Sequence, residues 1–468
     1  MSAPAAERKA GRGAETRSIE FVPHDERYGE PWRLFTLWCS SNLQISALVV
    51  GCLGVAAGLG LAWSCLAICI GVLVGSIFMA AHSAQGPHLG IPQMIQSRAQ
   101  FGVFGAGLPL LIYVLANVLF SAANAIMMRD AINHLIPIGG AGAIVLFGVV
   151  SLLISYYGYE AIHRLGVYLT VGSGAVFLLA LWFVVASGGV GSASWHFGYF
   201  KPAIFMLMIT QAASWTLGYG PYVADYSRYL PSDVRTGTTF WYTYLGNILG
   251  AGFIMLLGAI LAAAFPGKLA DMSLTTAGLF GPFATIALGI LVLGMLQINV
   301  LNIYSGFMSG VTVFTGFSGS ITLTRRTRLA VMFTVAAAAT LTAILTQDRF
   351  NEFFSDTLIA QVYLIVPWSA INLVDYYLVR KGKYSVADIY DARGIYGRYN
   401  WRTLGIYGVS VAAQLPFMDM TFYHGAIAQR VGADVAWIPA LVIPAFLYAA
   451  LTPRELLRGT RESLLSRP

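Results

Sequence analysis

The chain has 468 residues, 57% hydrophobic and 10% charged, with a mean hydropathy of +0.69. Apolar runs recur nearly end to end, which excludes a soluble globular protein and describes an all-α polytopic membrane protein with no room for a soluble domain. A net charge of +7 is explained more economically by basic loops than by nucleic-acid binding.

Residues 1–32 are polar and lack the apolar core of a secretory signal. No cleaved peptide is expected, the first apolar run acts as its own signal, and the tail reads as disordered. Cys39, Cys52, Cys65 and Cys69 fall in the first two apolar runs, where they read as small buried residues rather than disulfide or metal pairs.

A crossing of ~30 Å of hydrocarbon takes about 20 apolar residues. On that length the chain divides into twelve transmembrane segments, numbered 1 to 12 in order: 33–59, 61–81, 103–129, 140–157, 162–187, 202–224, 236–264, 283–308, 329–346, 352–379, 403–421 and 434–452, with a tail at 453–468. Twelve alternating crossings put 23 Lys and Arg on the side of the amino terminus and five, Arg129, Lys201, Lys268, Arg349 and Arg430, on the other. The positive-inside rule then predicts a multi-pass protein of the cell membrane with both termini cytoplasmic. Dropping one segment would send Arg325, Arg326 and Arg328 and the cluster from Arg380 to Arg402 to opposite faces, so twelve fits better than eleven or thirteen.

Two segments are interrupted. Segment 1 carries Cys39-Ser-Ser-Asn-Leu-Gln44, and segment 6, within the run Gln211 to Tyr229, carries Gly218-Tyr-Gly-Pro221. Proline removes a backbone donor and glycine tolerates unwound dihedrals, so such a stretch exposes main-chain groups at membrane depth, where only protein or a water-filled cavity can receive them. The interruptions lie five segments apart, as in transporters whose inverted repeats hold a ligand near the midplane between discontinuous helices. The competing reading is that Ser40, Ser41 and Asn42 simply pack against a neighbouring helix. Between segments 2 and 3, Gly90 to Gly105 is too polar to cross and reads as a cytoplasmic amphipathic connector, with Ser97-Arg98 as a solvated positive anchor.

Five stretches carry a resemblance: Pro92-Gln-Met with Ser97-Arg98 and Phe101-Gly102, Leu153-Ile-Ser-Tyr-Tyr-Gly-Tyr-Glu-Ala-Ile-His163, Ala224-Asp-Tyr-Ser-Arg-Tyr-Leu-Pro231, Asn299-Val-Leu-Asn-Ile-Tyr-Ser305 and Asp375-Tyr-Tyr-Leu-Val-Arg380. In order and spacing they resemble the nucleobase:cation symporter family, particularly its purine-cytosine permease branch, from about residue 20 to 400. The resemblance implies two inverted five-helix repeats, about 33–187 and 202–379, with two further helices in 403–452, all in one transmembrane domain over 33–452. It also implies a moving bundle of helices 1, 2, 6 and 7 against a scaffold of 3, 4, 8 and 9. The interrupted segments match its broken helices 1 and 6.

The family holds a planar heterocycle between aromatic rings of helices 3 and 6, with amides of helices 1, 3 and 8 reading its edge. Its helix 3 pattern Trp-Ser-x-x-Asn resembles Phe120-Ser-Ala-Ala-Asn124, where Phe120 gives a ring face without an indole donor. Its helix 6 Gly-Trp falls on Gly218-Tyr219, while Trp215 lies one turn earlier on the same face, so either ring is placed to stack. Its helix 8 pattern resembles Asn299 to Ser305, with Leu301 in place of proline and Asn299 and Asn302 as the amides, and segment 1 offers Gln44 beside its break. These departures make cytosine itself a doubtful substrate. The chemistry is sensible by itself, since Asn and Gln each satisfy donors and acceptors without charge, and stacking a base on an aromatic ring contributes about 1–3 kcal/mol in nucleic-acid complexes.

Sodium-dependent members use carbonyls near the helix 1 break and hydroxyls on helix 8. Here the hydroxyl positions are Leu293, Leu296 and Gln297, and although the Ser40 and Leu43 carbonyls remain for a hard cation, protons are the favoured coupling ion. Glu160, Asp225, Asp375 and His163 sit near segment ends and read as loop ion pairs with Arg164, Arg228 and Arg380. The expected activity is therefore a secondary-active, cation-coupled importer of a nucleobase or related flat heterocycle, with the lipid bilayer as its other partner, no nucleic acid and no cofactor. The alternatives are sodium coupling, an allantoin, hydantoin or vitamin substrate, or an uncoupled channel or receptor. An enzyme would need a nucleophile–base or metal constellation at depth, and the seven histidines are scattered with no helical His/Glu pair.

Overall fold

The computed structural model describes residues 20–157, 159–269, 271–318 and 325–452. The tails at 1–19 and 453–468, and the side chains of Glu160, His163 and Arg164, lie outside the described residues.

Segment 1 is two helices, Trp32–Ser41 and Ile45–Ala56, bent by 61° where they meet. Segments 2 to 5 are Leu61–Ser83, Gly107–Leu135, Gly140–Tyr157 and Tyr159–Ala186. Segment 6 runs as Pro202–Leu217, a 3₁₀ turn Gly220–Tyr222 and a short helix Val223–Ser227. Segments 7 to 10 are Thr236–Ala264, Ala284–Ser318, Arg325–Thr346 and Phe350–Val374, the last continuing as a π turn, Asp375–Val379. Six continuous helical stretches are long and apolar enough to cross a membrane, one of them, Arg325–Val379, holding both segments 9 and 10, and the bent pair of segment 1 makes a seventh. Segments 4 and 12, Gly140–Tyr156 and Trp437–Leu451, are shorter apolar helices.

Segment 11 departs from its predicted span. The helix ends at Ala412, and residues to 421 form a 3₁₀ turn at Leu415–Phe417 and part of a two-residue hairpin pairing Asp419–Met420 with Tyr423–His424. Pro416 cannot donate to a continuing helix. Gln414 closes the last turn by donating to Ser410 O and across to Tyr363 O, both at 3.1 Å. The amino-terminal tail departs as well: Val22 is fully buried and donates from its backbone to Gly90 O at 2.8 Å, so residues from 20 onward are packed structure. Of the cysteines only Cys52 is buried, while Cys69 faces outward.

Glycines explain how the segments group. A Cβ at Gly246, Gly250 or Gly258 of segment 7 would lie 2.4, 2.4 and 2.0 Å from the carbonyl oxygens of Phe35, Cys39 and Leu48 in segment 1. Gly71 and Gly75 of segment 2 sit as closely against Ile209 O and Ala213 O of segment 6. Small residues let helix backbones touch without a hydrophobic driving force, and here they weld segments 1, 2, 6 and 7 into one body. Segments 3, 4, 8 and 9 pack on one another as a second. The two breaks therefore face the seam between the bodies. One face of the molecule carries residues 20–31, the connector Gln85–Phe101 and the ends of segments 10 and 12, joined by Val22 to Gly90 and Tyr448 to Asp375; it is called the terminal face below.

Candidate binding site

The break in segment 1 is held open by side chains. Gln44 is extended at φ −147°, ψ 155°, and its Nε2 donates to Ser41 O at 2.8 Å. Asn42, fully buried, donates to Trp38 O at 2.7 Å and to Asn247 Oδ1 at 2.9 Å. Its own Oδ1 accepts from Trp215 Nε1 at 2.9 Å and from the Tyr219 hydroxyl at 3.3 Å. One amide thus ties the broken helix to segments 7 and 6, and neither aromatic can move without disturbing the break.

The break in segment 6 follows from its glycines and proline. Gly218 ends the helix, its N–H donating to Ser214 O at 2.8 Å. Pro221 supplies no donor, and the chain turns through Tyr222 N–H to Tyr219 O at 3.1 Å. A Cβ on Gly218 would fall 2.3 Å from Gln361 Nε2, so glycine here lets segment 10 approach the break. Gln361 is fixed from behind by Ser214 Oγ at 3.3 Å.

Between the breaks lies a cleft. Gln44, Phe120 and Asn124 line one part of it, and Trp215, Gly218, Tyr219 and Asn302 the rest. These are seven of the eight residues expected at a site. Asn299 is not among them: it is buried against segment 4 and donates to Ser151 Oγ at 2.9 Å. Three positions further along a helix is about 300°, so Asn299 and Asn302 diverge enough for one to face the cleft and the other the scaffold. Phe120 and Trp215 meet edge to face, with centroids 6.0 Å apart at 78°, and Trp215 meets Tyr219 at 6.1 Å and 85°.

Sequence reasoning missed Tyr113, Asn117, Tyr222 and Gln361, all on the cleft wall. The first two were legible, since 113, 117, 120 and 124 recur at helical spacing on one face of segment 3. Gln361 gave only the weak signal of an amide inside an apolar run. No Asp, Glu, Lys or Arg lines the cleft among the described residues, so its polarity comes from amides and phenols. The Asn124 Oδ1 atom is buried and has no hydrogen-bond partner among the described residues. That arrangement suits a neutral, flat molecule with donors and acceptors around its edge.

The other sequence candidates lie elsewhere. Asp225 accepts from Gln93 N–H at 2.8 Å, and Arg228 Nε donates to the Asp225 carbonyl at 3.2 Å. Asp375 and Arg380 do pair, at 3.1 Å, but deep in the protein and not in a solvated loop. Ser97 and Arg98 are buried too, the hydroxyl accepting from Trp368 Nε1 at 2.8 Å and the guanidinium lying 5.9 Å over the Tyr390 ring. Residues 386–390 cover the connector, so Arg98 is no solvated anchor, and burial pulls its guanidinium below the usual value. The Ser40 carbonyl accepts from Leu43 N–H at 3.0 Å.

The close fit of Gly218 makes a direct check. Gly218→Val drives side-chain atoms into Gln361 and the cleft, an overpacking of about 1–3 kcal/mol. Ligand affinity should fall about tenfold or more with the protein still expressed; wild-type affinity would show that the Gln361 approach is not needed.

Residues 21–438 match the family model for permeases for cytosine/purines, uracil, thiamine and allantoin. The chain is 40% identical to "Putative purine-cytosine permease YxlA" of Bacillus subtilis (strain 168), over 97% of this chain and 99% of that one. It is 26% identical to the purine-cytosine permease fcyB of Emericella nidulans, over 94% of this chain and 89% of the relative. Among solved structures it is similar to Mhp1, a nucleobase-cation-symport-1 family transporter in a closed conformation with bromovinylhydantoin bound, at a TM-score of 0.72 and 17% identity over 96% of each chain.

Proposed function

The chain belongs to the family of permeases for cytosine/purines, uracil, thiamine and allantoin, and from that premise we propose that it imports a nucleobase or closely related flat heterocycle by secondary-active, proton-coupled symport. It is a membrane transporter, not an enzyme. The observation that carries the substrate class is the cleft itself: charge-free, walled by Phe120, Trp215 and Tyr219 and edged by the amides of Gln44, Asn124, Asn302 and Gln361. A base enters edge-on to the amides with its faces against the rings. Stacking supplies sequence-tolerant attraction, and the amides supply selectivity, because a buried amide left without its partner costs about 1–3 kcal/mol.

Twelve crossings arranged as two inverted repeats, with both termini in the cytoplasm and the protein in the cell membrane, complete the proposal. The division into two bodies meeting at the cleft supports alternating access, in which segments 1, 2, 6 and 7 move against segments 3, 4, 8 and 9. Proton coupling is supported by Leu293, Leu296 and Gln297, which offer no hydroxyl where the family's sodium-dependent members have them.

Purified protein in proteoliposomes, offered labelled adenine, hypoxanthine, cytosine, uracil, allantoin and a hydantoin, should accumulate at least one base when the exterior is acidic. Accumulation that follows a sodium gradient and ignores pH would replace proton by sodium. No accumulation of any heterocycle under either gradient would end the transporter reading.

A further inference from the structure

Below the segment 6 break, toward the terminal face, His82 is completely buried at the end of segment 2. It is stacked on Trp368 of segment 10, with centroids 5.1 Å apart at 16°, and a Cβ on Gly220 would touch its ring at 3.4 Å. Its Nε2 lies 2.9 Å from Ser369 Oγ, and its Nδ1 lies 3.3 Å from Gln93 Nε2 and 3.5 Å from Gln85 Nε2. Amide nitrogens only donate. Nδ1 is therefore the acceptor and Nε2 carries the proton, given to Ser369.

That bonding is frustrated in one respect. The Gln93 Oε1 atom is buried with no hydrogen-bond partner among the described residues, while its Nε2 serves both His82 and, at 2.7 Å, Gln85 Oε1. A proton on Nδ1 would face two donors, and turning the Gln93 amide replaces the nearer of them with the idle oxygen, which accepts it. The turn costs the bond to Gln85, which in turn holds Asn372 Oδ1 of segment 10 at 2.7 Å. Asn372 reaches Gln100 at 3.5 Å, and Gln100 donates to Asp375 at 2.6 Å. Protonating one imidazole thus loosens a line of amides joining segment 2, the connector and segment 10.

We propose that His82 binds the co-transported proton at Nδ1 and, by turning the Gln93 amide, unlatches the terminal side of the cleft. The proton adds to the Nδ1 lone pair in place of the amide hydrogen bonds accepted there and leaves from it to the terminal face, so hydrogen bonds are exchanged and no other covalent bond is made or broken. The groups facing the ring are neutral on every side: Trp368, Ser369 and Asn372 from segment 10, Gln85 and Gln93 from the connector, Gly220 from segment 6. The charged groups reached by hydrogen bonds are Asp225, through Gln93 N–H, and Asp375 with Arg380, at the far end of the amide line. His88, bonded to Tyr376, and Arg98, over Tyr390, lie on the same layer without contacting the ring.

The proposal rests on the proton-coupled reading above, and its test separates the two. In proteoliposomes, with the base from the panel that accumulates best, His82→Gln should lose pH-driven accumulation by about tenfold or more, and the uptake that remains should no longer vary with external pH. Gln93→Glu sets a carboxylate beside the imidazolium and favours it, so the pH at which uptake is half-maximal should move upward by about 1–3 units. Wild-type accumulation by His82→Gln, or an unmoved pH profile in Gln93→Glu, overturns the assignment, and Gln93→Glu decides the matter if His82→Gln does not fold. Wild-type protein that ignores a pH gradient ends the coupling reading and this assignment with it.

Discussion

Asn124→Leu should lower base uptake by about 10- to 100-fold, chiefly through KM, while the ligand-free protein melts no earlier than wild type. The two halves of that result come from one atom. Asn124 is 2% exposed, and its Oδ1 has no hydrogen-bond partner among the described residues. A buried acceptor without a partner penalises the empty protein by about 1–3 kcal/mol, and an apolar side chain of similar size removes the penalty. A ligand donor satisfies the oxygen in wild type, so transport loses what the empty fold gains. A structural asparagine would behave in the opposite way, losing stability on replacement. Asn299 is the internal comparison: its Oδ1 is also buried without a hydrogen-bond partner among the described residues, but it lies outside the cleft and its Nδ2 bonds to Ser151, so Asn299→Leu should leave KM unchanged. Equal KM values for wild type and Asn124→Leu would remove Asn124 from the site.

Why the sequence reached Asn124 and not Gln361 is a matter of what leaves a local trace. The break at Gly218 to Pro221 is a backbone property, and glycine and proline announce it in any context. The break at Ser41 to Gln44 has no proline and depends on Asn42, whose partners Trp215, Tyr219 and Asn247 are remote in sequence. It was found by its position relative to the other break. Phe120 and Asn124 followed from the resemblance of Phe120-Ser-Ala-Ala-Asn124 to the family's helix 3 pattern. Gln361 reaches the cleft only because segment 10 approaches Gly218, a fact of packing that segment 10 does not encode locally. Asn299 failed for the converse reason, since a motif gives residue types and not which flank of the helix meets the ligand.

The polar layer at the terminal face was misjudged on similar grounds. Ser97, Arg98, Asp375 and Arg380 look like loop residues because hydropathy places them between crossings or at the end of one. Residues 381–396 and the amino-terminal segment fold over them, and only tertiary structure reveals that cover. His82 drew no notice at all, since one histidine at the end of an apolar run has no motif around it. The failure of segment 11 at Ala412 is the mildest of these errors: the residues beyond it are apolar enough for a helix, but Pro416 and the bonds of Gln414 make them a cap on segment 10.

Asp375→Leu should be the most destabilising of the single substitutions considered, at about 3–5 kcal/mol, and clearly worse than Arg380→Leu. The pair is almost wholly buried, with 0% and 3% of the two side chains exposed, and breaking a buried pair leaves a charge without its counterpart. The two survivors are not equivalent. Without Arg380 the carboxylate still accepts from Gln100 Nε2 at 2.6 Å, Tyr384 OH at 2.8 Å and Tyr448 OH at 2.9 Å. Without Asp375 the guanidinium keeps, among its contacts, the ring faces of Tyr384 and Tyr396, 5.6 and 5.0 Å away, and a long bond to Ala99 O at 3.4 Å, while those three donors lose their acceptor. Each charge-assisted bond contributes more than a neutral one, so the carboxylate is the centre of the cluster and the arginine one of its ligands. Asp375→Asn, which keeps an acceptor but no charge, should fall between the two leucine variants. Melting temperatures and half-lives of the detergent-solubilised proteins measure the order, and equal losses for Asp375→Leu and Arg380→Leu would reduce the cluster to a simple ion pair. Because one of the three donors is Tyr448 at the end of segment 12, the same series tests whether the last helix, nearly silent in the sequence, secures the end of segment 10 against which the amide line from His82 is anchored.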